Sequence, residues 1–211
     1  MISKIKKLVQ DKGVAGLIGK ILRKLITAFI YERVDVLYLS TNTSPPDEVN
    51  TLSIYTCDFE EFKHWADQHD RLAGQLDIAE QRFKDGCRCY IGRMDDGRLG
   101  HIIWCTHGDE LFASYETGEK CRMKLDKDQG IVIDAWTPSY ARGRNYYPQV
   151  MRQMIRDLLR DYDEIWLWVV TTNIPSIRGI KKSGYSSRFI MGRSKYFGIF
   201  EVCHHNDSPT I

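Results

Sequence analysis

The sequence predicts an α/β fold, with a mixed and mostly antiparallel central sheet, helices on both faces, and a basic amphipathic helix at the N-terminus. Three observations predict it. Short strand patterns separated by turn signals fill the first half of the chain, which is typical of antiparallel pairing. Residues 131–185 follow the order strand, loop, helix, strand, helix, which favours a parallel pair joined by a crossover helix. The first 33 residues hold a separate excess of positive charge.

The composition is that of an ordinary globular protein. The 211 residues are 43% hydrophobic and 27% charged, and this length suits one well-buried core better than two full domains. The formal net charge is only +2, so no global basic field favours a nucleic-acid partner. Residues 1–33 carry eight basic and two acidic side chains, a local charge of +6 that leaves −4 for the rest. This asymmetry marks the N-terminal segment as a distinct unit.

The N-terminal segment is predicted to be an amphipathic helix over residues 2–30, because apolar side chains recur there at helical spacing. Lys20, Arg23 and Lys24 interrupt the apolar run, so the segment is too charged to span a bilayer. Two interpretations stay open: the helix packs on its own domain, or it makes a peripheral contact with an anionic membrane. The chain divides into this segment (1–33), a strand and linker (34–50), a main domain (51–203) and a tail (204–211).

The first half of the chain predicts strands, two helices and a hairpin. Asp58 suits the N-cap of a helix through residue 68, and a second helix covers residues 76–83. Asp95-Asp96-Gly97 lies between two apolar runs and is a strong hairpin signal. The predicted strands cover residues 34–39, 52–55, 89–94 and 99–106.

The second half begins with a predicted strand over residues 131–136, followed by a loop rich in Arg, Gly and Asn. Pro148 suits the first position of the next helix. Residues 165–170 are an almost uninterrupted apolar strand, as expected where both faces of a sheet are covered. A helix over about residues 175–183 ends at Gly184, and the chain after it forms one or two closing strands.

The cysteines predict no metal site. The six include no CxxC pair and no zinc-finger spacing to histidine. His204 and His205 follow Cys203, and we assign both histidines to a solvated tail. No secretory signal is recognised, so all six thiols are predicted to be reduced in a cytoplasmic protein, membrane-associated if the N-terminal helix binds lipid.

The loop after residue 136 is the best candidate for a ligand site. A loop whose amides lead into a helix N-terminus favours a phosphate, because the free amides and the helix dipole both attract negative charge. Arg142 and Arg144 add positive charge, and Gly143 lets a ligand approach the backbone. The sequence therefore predicts an anion site here.

Two motifs in this region resemble those of the GNAT superfamily of acyl-CoA-dependent acyltransferases. The family's pyrophosphate loop has Arg or Gln, two residues, Gly, one residue, then Gly or Ala. The corresponding residues here are Arg142-Gly143-Arg144-Asn145-Tyr146-Tyr147, after Pro138. The second motif is Asn173-Ile174-Pro175-Ser176, followed by Lys182-Ser183-Gly184-Tyr185. The resemblance is strong over residues 130–185, extends over 51–200 and is absent from 1–50.

The resemblance implies acetyl-CoA or another acyl-CoA as cofactor, and direct acyl transfer to an amine in a ternary complex, without a covalent enzyme intermediate. It also implies that the parallel strands splay to admit CoA. The implied cofactor-binding residues are Ala135, Trp136, Thr137, Arg142, Gly143, Arg144, Asn145, Tyr146, Tyr147, Asn173 and Ser176. The first three would face the pantetheine arm, the loop residues would hold the pyrophosphate, and Asn173 would anchor the cofactor side. For Ser176, near a helix start, capping or solvating that turn is the alternative.

The sequence departs from the family pattern in several places. Asn145 stands where the first loop glycine is expected, although Asn tolerates a left-handed backbone better than most residues. Tyr147 replaces a small residue, and Pro148 lacks an amide. Ile180 stands where many family members have a tyrosine that protonates the leaving thiolate. A CoA-binding pseudoenzyme, or a membrane-associated accessory protein of surface-polysaccharide synthesis, is therefore the alternative function.

The predicted general base is Asp134, on the strand that leads into the loop. An alkyl amine has a pKa of about 10 and must lose a proton before it attacks, directly to a base or through water. A solvated or capping carboxylate is the equally weighted alternative for Asp134. Glu116 and His107 are weaker candidates for the base, and the expected acceptor is a small-molecule or sugar amine.

Overall fold

A computed structural model describes residues 31–46, 50–108, 111–113, 122–196 and 200–207 of the chain. The strands of this described part are β1 (Tyr31–Thr41), β2 (Ser53–Cys57), β3 (Arg88–Arg93), β4 (Leu99–His107), β5 (Leu111–Ala113), β6 (Arg122–Lys124), β7 (Gln129–Trp136), β8 (Glu164–Val170), β9 (Ser186–Tyr196) and β10 (Phe200–Asn206). Eight strands form one sheet in the order β10-β9-β1-β8-β7-β4-β3-β2, and β5 pairs with β6.

The helices of the described residues are α1 (Phe59–Ala66), α2 (Asp70–Ala73), α3 (Leu76–Lys84), α4 (Tyr146–Leu158) and α5 (Ile174–Lys182), with a 3-10 turn at Ser139–Ala141. Asp58 caps α1 as predicted, because its side chain accepts a hydrogen bond from the Glu61 amide at 2.9 Å. Gly184 follows α5 with a φ of 99°, a backbone conformation that favours glycine.

Helices cover both faces of the sheet, as the fold prediction requires. One core contains α4 and α5 and includes Tyr90 of β3, and the other contains α1 to α3 and includes Ile91, the next residue. Successive side chains of a strand point to opposite faces, which explains why these neighbours belong to different cores. The apolar side chains that α4 buries completely are Val150, Met151, Met154, Ile155 and Leu158.

The pairing of the strands also matches the predicted class. All neighbouring pairs in the eight-stranded sheet are antiparallel except β7 and β8, which are parallel. The hairpin predicted at Asp95-Asp96-Gly97 joins β3 to β4, and Gly97 has a φ of 83°. The mixed, mostly antiparallel sheet is therefore confirmed.

The start of α4 differs from the prediction. The helix begins at Tyr146 and not at Pro148, which occupies its third position. The amides of the first turn have no partner within a helix, so proline is tolerated at any of these positions. The left-handed backbone of Asn145, with a φ of 61°, sets the point where the helix begins.

Of the predicted boundaries, residue 50 lies between β1 and β2, and residue 203 lies within β10. β1 lies between β8 and β9, and β10 continues through Asn206, so neither strand is a separate segment. His204, assigned to a solvated tail, instead shares a hydrogen bond with Asp35 Oδ1 through its Nε2 at 2.9 Å. The pairing of β9 with β1 and with β10, strands from opposite ends of the described chain, places these residues.

The prediction that all six cysteines are reduced is wrong for Cys203. Cys57, Cys87, Cys89 and Cys105 are free thiols, whereas Cys203 is disulfide-bonded. The N-terminal helix predicted over residues 2–30 lies outside the described residues. Among the helices that are described, none has the length and apolar character needed to cross a membrane.

Candidate active site

The two parallel strands diverge, and this opening defines the site. Backbone pairing between β7 and β8 ends where Ile131 faces Trp166. β7 continues to Trp136 and β8 to Val170, and no further pairing joins them. The edge of β7 from Ile133 onward therefore faces a gap in the sheet and not a neighbouring strand.

A bulge next to this gap fixes which way the β7 side chains point. Trp104 of β4 faces Asp134, but Cys105 faces Val132, so Ile133 is an extra residue in β7. Facing residues of an antiparallel pair share a side of the sheet. Asp134 therefore lies on the side of Trp104 and helices α1 to α3, while Ala135 lies on the side of α4 and α5.

The loop between β7 and α4 has the backbone of an anion site. Gly143 has a φ of 76° and Asn145 a φ of 61°, the one non-glycine residue with positive φ in the described chain. No side chain caps α4, and no described oxygen accepts a hydrogen bond from the amides of residues 143–147. These donors at a helix N-terminus are therefore available to a ligand.

This loop opens on a cleft of about 830 Å³ between the end of β7, the first turn of α4, and α5. Ten of the eleven predicted cofactor residues line it. The lining residues are His101, Ala135, Trp136, Thr137, Ala141, Arg142, Gly143, Asn145, Tyr146, Tyr147, Pro148, Asn173, Pro175, Ser176, Arg178, Gly179 and Lys182. Within the described residues the charged side chains of this wall are Arg142, Arg178 and Lys182, with no carboxylate, so the cleft attracts anions.

Arg144 is the predicted residue that does not line the cleft. It lies near the β3–β4 hairpin, where its charge contributes to a lowered pKa of Asp96, a shift caused first by hydrogen bonds from Arg98. Asn173 does line the cleft, and its side-chain oxygen also caps α5 by accepting a hydrogen bond from the Ser176 amide at 3.4 Å. The structure therefore gives Asn173 a structural role beside any role in binding.

Asp134, the predicted base, lies outside the cleft. One of its oxygens is 3.3 Å from Arg82 and the other is 3.9 Å from Arg71. Its side chain is 21% exposed, on the side of α1 to α3. The bulge at Ile133 causes this placement, and no sequence pattern reveals a bulge. Of the weaker candidates, His107 is exposed and does not line the cleft, and Glu116 lies outside the described residues.

His101 is a cleft residue that the sequence did not single out. Its side chain is 1% exposed, and burial lowers its pKa to about 3. Its Nδ1 shares a hydrogen bond of 2.7 Å with Thr137 Oγ1, and its ring lies 4.9 Å from the ring of Tyr147. The imidazole is therefore neutral at ordinary pH. Only the register of β4 against β7 brings His101 to this position, so the sequence offered no signal for it.

The tyrosines near the cleft are the alternative proton donors, because position 180 holds an isoleucine. Ile180 is 1% exposed and belongs to the core, so no proton donor stands at that position. Tyr146 and Tyr147 line the cleft, whereas Tyr185 is buried in the core and does not line it. Burial raises the pKa of Tyr147 and also that of Tyr185, so both phenols stay protonated in the alkaline range.

Solved structures share this architecture. An acetyltransferase of the GNAT family from Novosphingobium aromaticivorans is 16% identical, with a TM-score of 0.52 over 77% of this chain and 63% of its own. A GNAT-family acetyltransferase from Colwellia psychrerythraea is 10% identical, with a TM-score of 0.53 over 79% of this chain and 58% of its own.

A third structure is a GCN5-related glucosamine N-acetyltransferase region of a fungal multi-domain β-N-acetylglucosaminidase. It is 13% identical, with a TM-score of 0.52 over 92% of this chain and 23% of its own. No protein-family model matches the sequence, and no curated protein matches it. This chain spans less than two thirds of each of the three solved chains. It therefore has the fold of the GNAT acetyltransferases, and the site described above lies within that fold.

Proposed function

We propose that this protein is an acyl-CoA-dependent N-acyltransferase that passes an acetyl or similar acyl group directly to an amine. The observation that carries the proposal is the uncapped N-terminus of α4, which opens on a cationic cleft beside the gap between β7 and β8. A diphosphate needs several donors at once. The amides of residues 143–147 and the side chain of Arg142 supply them in one place.

The cleft is large enough to hold a cofactor of the size of acyl-CoA. Its volume of about 830 Å³ lies toward the upper end of the roughly 300–1,000 Å³ usual for ligand pockets. The free edge of β7 offers backbone donors and acceptors along Ala135 to Thr137, to which an extended amide-containing arm can add as a strand does. Arg178 and Lys182 of α5 complement further phosphate on the opposite wall.

A bound acyl-CoA would supply an activated thioester whose thiol has a pKa of about 8.5, and so leaves readily near neutral pH. The chain itself supplies orientation. Fixing two reactants in the right geometry is worth effective concentrations of about 10⁵ M or more. No carboxylate of the described residues lines the cleft, so the amine must reach its neutral form without one there. We expect the rate to rise with pH up to the pKa of the acceptor amine, which is about 10 for an alkyl amine and lower for an amino sugar, whose oxygens withdraw electrons.

For the acceptor we propose an amino sugar or another small amine. The support is the third structural neighbour, which is named as a glucosamine N-acetyltransferase region. Turnover of acetyl-CoA should be measured with free and nucleotide-linked amino sugars, polyamines and peptide N-termini. Binding of acetyl-CoA without turnover on this whole panel would favour a pseudoenzyme instead.

Calorimetry with acetyl-CoA tests the cofactor site. Arg142→Glu reverses a charge in the cleft wall, and we expect the affinity to fall by at least about tenfold, since a hydrogen bond to a charged group is worth about 1.5–3 kcal/mol. Arg160→Glu is the matched control, because this exposed side chain lies beyond the C-terminal end of α4 and does not line the cleft, and its affinity should stay within about threefold of the wild type.

Gly143→Val gives a second arm of the same experiment. Nothing lies within 4 Å of a Cβ at Gly143, so the variant acts through its strained backbone, which has a φ of 76°. A loss of affinity with an unchanged circular dichroism spectrum supports the loop assignment. Wild-type affinity in both Arg142→Glu and Gly143→Val would sink the cofactor proposal.

A further inference from the structure

His101 has one ring nitrogen in use and one without a partner. The register that pairs Ile102 with Trp136 places His101 opposite Thr137, on the side of the sheet that faces α4. There its Nδ1 and Thr137 Oγ1 are 2.7 Å apart, and this hydrogen bond fixes the plane of the ring. The Nε2 atom is buried and has no hydrogen-bond partner among the described residues.

An unpaired buried polar atom needs an explanation. Leaving a buried donor or acceptor unsatisfied costs about 1–3 kcal/mol, and most such atoms in folded proteins are paired. His101 belongs to the wall of the cleft, and its Nε2 is covered, so a ligand in the cleft reaches this nitrogen only when the side chains over it shift. Its ring also lies 4.9 Å from the ring of Tyr147, which lines the cleft as well.

We propose that His101 Nε2 binds an amide group of the pantetheine arm of the cofactor. The inference rests on the proposed function, since it assigns a residue to a ligand that the function requires. His101 and Thr137 form the floor next to the free edge of β7, where an extended arm would lie. An amide presents both an N–H and a C=O, so it satisfies Nε2 in either tautomer of the ring.

The contact of His101 with the cofactor differs from the phosphate contacts because the imidazole is neutral. Arg142, Arg178 and Lys182 carry positive charge toward a ligand, whereas His101 stays neutral because burial lowers its pKa to about 3. Its contribution to affinity should therefore be independent of salt and of pH above about 5, unlike that of the cationic side chains. It should also depend on the arm of the cofactor and not on its nucleotide.

The test compares two ligands on two variants. Coenzyme A carries the arm, and adenosine 3′,5′-bisphosphate carries the nucleotide with two of the three phosphates of coenzyme A and without the arm. His101→Asn keeps a polar group near Thr137 but removes Nε2, and we expect the affinity for coenzyme A to fall about tenfold while that for the bisphosphate changes by less than about twofold. His101→Gln returns an amide near the position of Nε2 and should recover part of the loss.

A measurement on the wild-type protein avoids any folding defect of the variants. In protein labelled with ¹⁵N at histidine, the Nε2 resonance of His101 should shift on adding coenzyme A and stay in place on adding the bisphosphate. Equal losses for both ligands in His101→Asn, or an unmoved resonance with coenzyme A bound, would overturn the inference. Failure of the wild type to bind coenzyme A at all would instead remove the proposed function itself.

Discussion

The ring of Tyr147 packs directly on the backbone of Gly179, so that a Cβ at Gly179 would lie 3.0 Å from Tyr147 Cδ1. This contact joins the first turn of α4 to the middle of α5, and both residues line the cleft. Because Gly179 has no side chain, there is room for the ring of Tyr147, at a position where the GNAT loop pattern has a small residue.

Enlarging Gly179 should disturb both stability and the cleft. In Gly179→Val, we expect the free energy of unfolding to fall by about 1–3 kcal/mol, the usual effect of overpacking. Gly179→Ala is the matched control, because the gain of about 1 kcal/mol in helix propensity offsets a tight contact. Urea denaturation measures the stability, and acetyl-CoA calorimetry measures the cleft. If Gly179→Val had the unfolding free energy and the acetyl-CoA affinity of the wild type, the contact between Tyr147 and Gly179 would matter neither to stability nor to the cleft.

Asp134 should behave as a structural carboxylate and not as the catalytic base. Asp134→Asn breaks its ion pairs with Arg82 and Arg71, and we expect a loss of about 1 kcal/mol in unfolding free energy. Loss of a general base lowers kcat by about 10²–10⁴-fold, so kcat in this variant should stay within about tenfold of the wild type.

Arg82→Gln supplies the comparison for Asp134. A double-mutant cycle should give a coupling between Arg82 and Asp134, since the two side chains are 3.3 Å apart. If Asp134→Asn instead lowered kcat more than about 100-fold with unchanged stability, the base would have to be restored to Asp134.

His101 should make the fold sensitive to acid. Its pKa in the fold is about 3, below the value of about 6.5 for a free histidine, so the unfolded chain binds the extra proton between these two pH values. Stability then falls as pH drops below about 6.5, by up to about 1.4 kcal/mol per pH unit from this group. Denaturation at pH of about 7.5, 6 and 5 checks this slope.

His101→Gln has no titrating group at this position and should lose less stability than the wild type over the same range. The difference between the two proteins isolates His101 from the carboxylates, which contribute to both. Parallel slopes in the two proteins would mean that His101 takes up its proton as readily in the fold as in the unfolded chain.

The missing acid at position 180 makes a prediction about the tyrosines. Tyr147 and Tyr185 have raised pKa values, so a pH–rate profile below about pH 10 cannot report them, and substitution must do so. We expect kcat of Tyr146→Phe and of Tyr147→Phe to stay within about threefold of the wild type, because the thiol leaves without help. A loss above about 100-fold in either variant would identify that tyrosine as the acid.

Ile180→Tyr is the complementary variant, because it adds a tyrosine at the position where the family pattern has one. The side chain of Ile180 is buried, so the variant must find space for a phenol at the edge of the core. Where it folds, we expect kcat equal to or above that of the wild type. An added alkaline decline near a tyrosine pKa of about 10 would show that the new phenol takes part in the reaction.

For residues 1–33 we propose a peripheral contact with anionic lipid, because of their local charge of +6. Each basic residue near such a surface contributes about 1 kcal/mol. The full chain should co-sediment with vesicles that contain phosphatidylserine at low salt, and the triple reversal of Lys4, Lys6 and Lys7 to Glu should abolish this.

Reversal of Lys63, Lys84 and Arg160 to Glu is the control for the lipid test, since it changes the net charge equally on the described domain. Equal binding by both triple variants would return the N-terminal segment to a structural role. A truncated chain is a poor substitute unless it keeps β1, because this strand is paired on both sides within the sheet.

The sequence by itself determined the parts of this protein that depend on neighbouring residues. Apolar periodicity predicted the strands and helices, Asp58 predicted a cap, and Asp95-Asp96-Gly97 predicted a hairpin. The same holds for the loop: Asn145 was expected to accept a left-handed backbone, and it does so at a φ of 61°. Each of these features is set by steric and hydrogen-bonding preferences within a few residues of the chain.

Only the tertiary structure decided which residues far from the loop in sequence meet the cleft. The insertion of β1 between β8 and β9, the bulge that turns Asp134 away, and the pairing that brings His101 to Thr137 all depend on the register of strands far apart in sequence. A shift of one residue in register moves every side chain to the opposite face, so the side on which Asp134 and His101 lie depends on how their strands pair with partners distant in the sequence. The placement of Asp134 outside the cleft and of His101 in its wall was therefore decided by packing and not by composition.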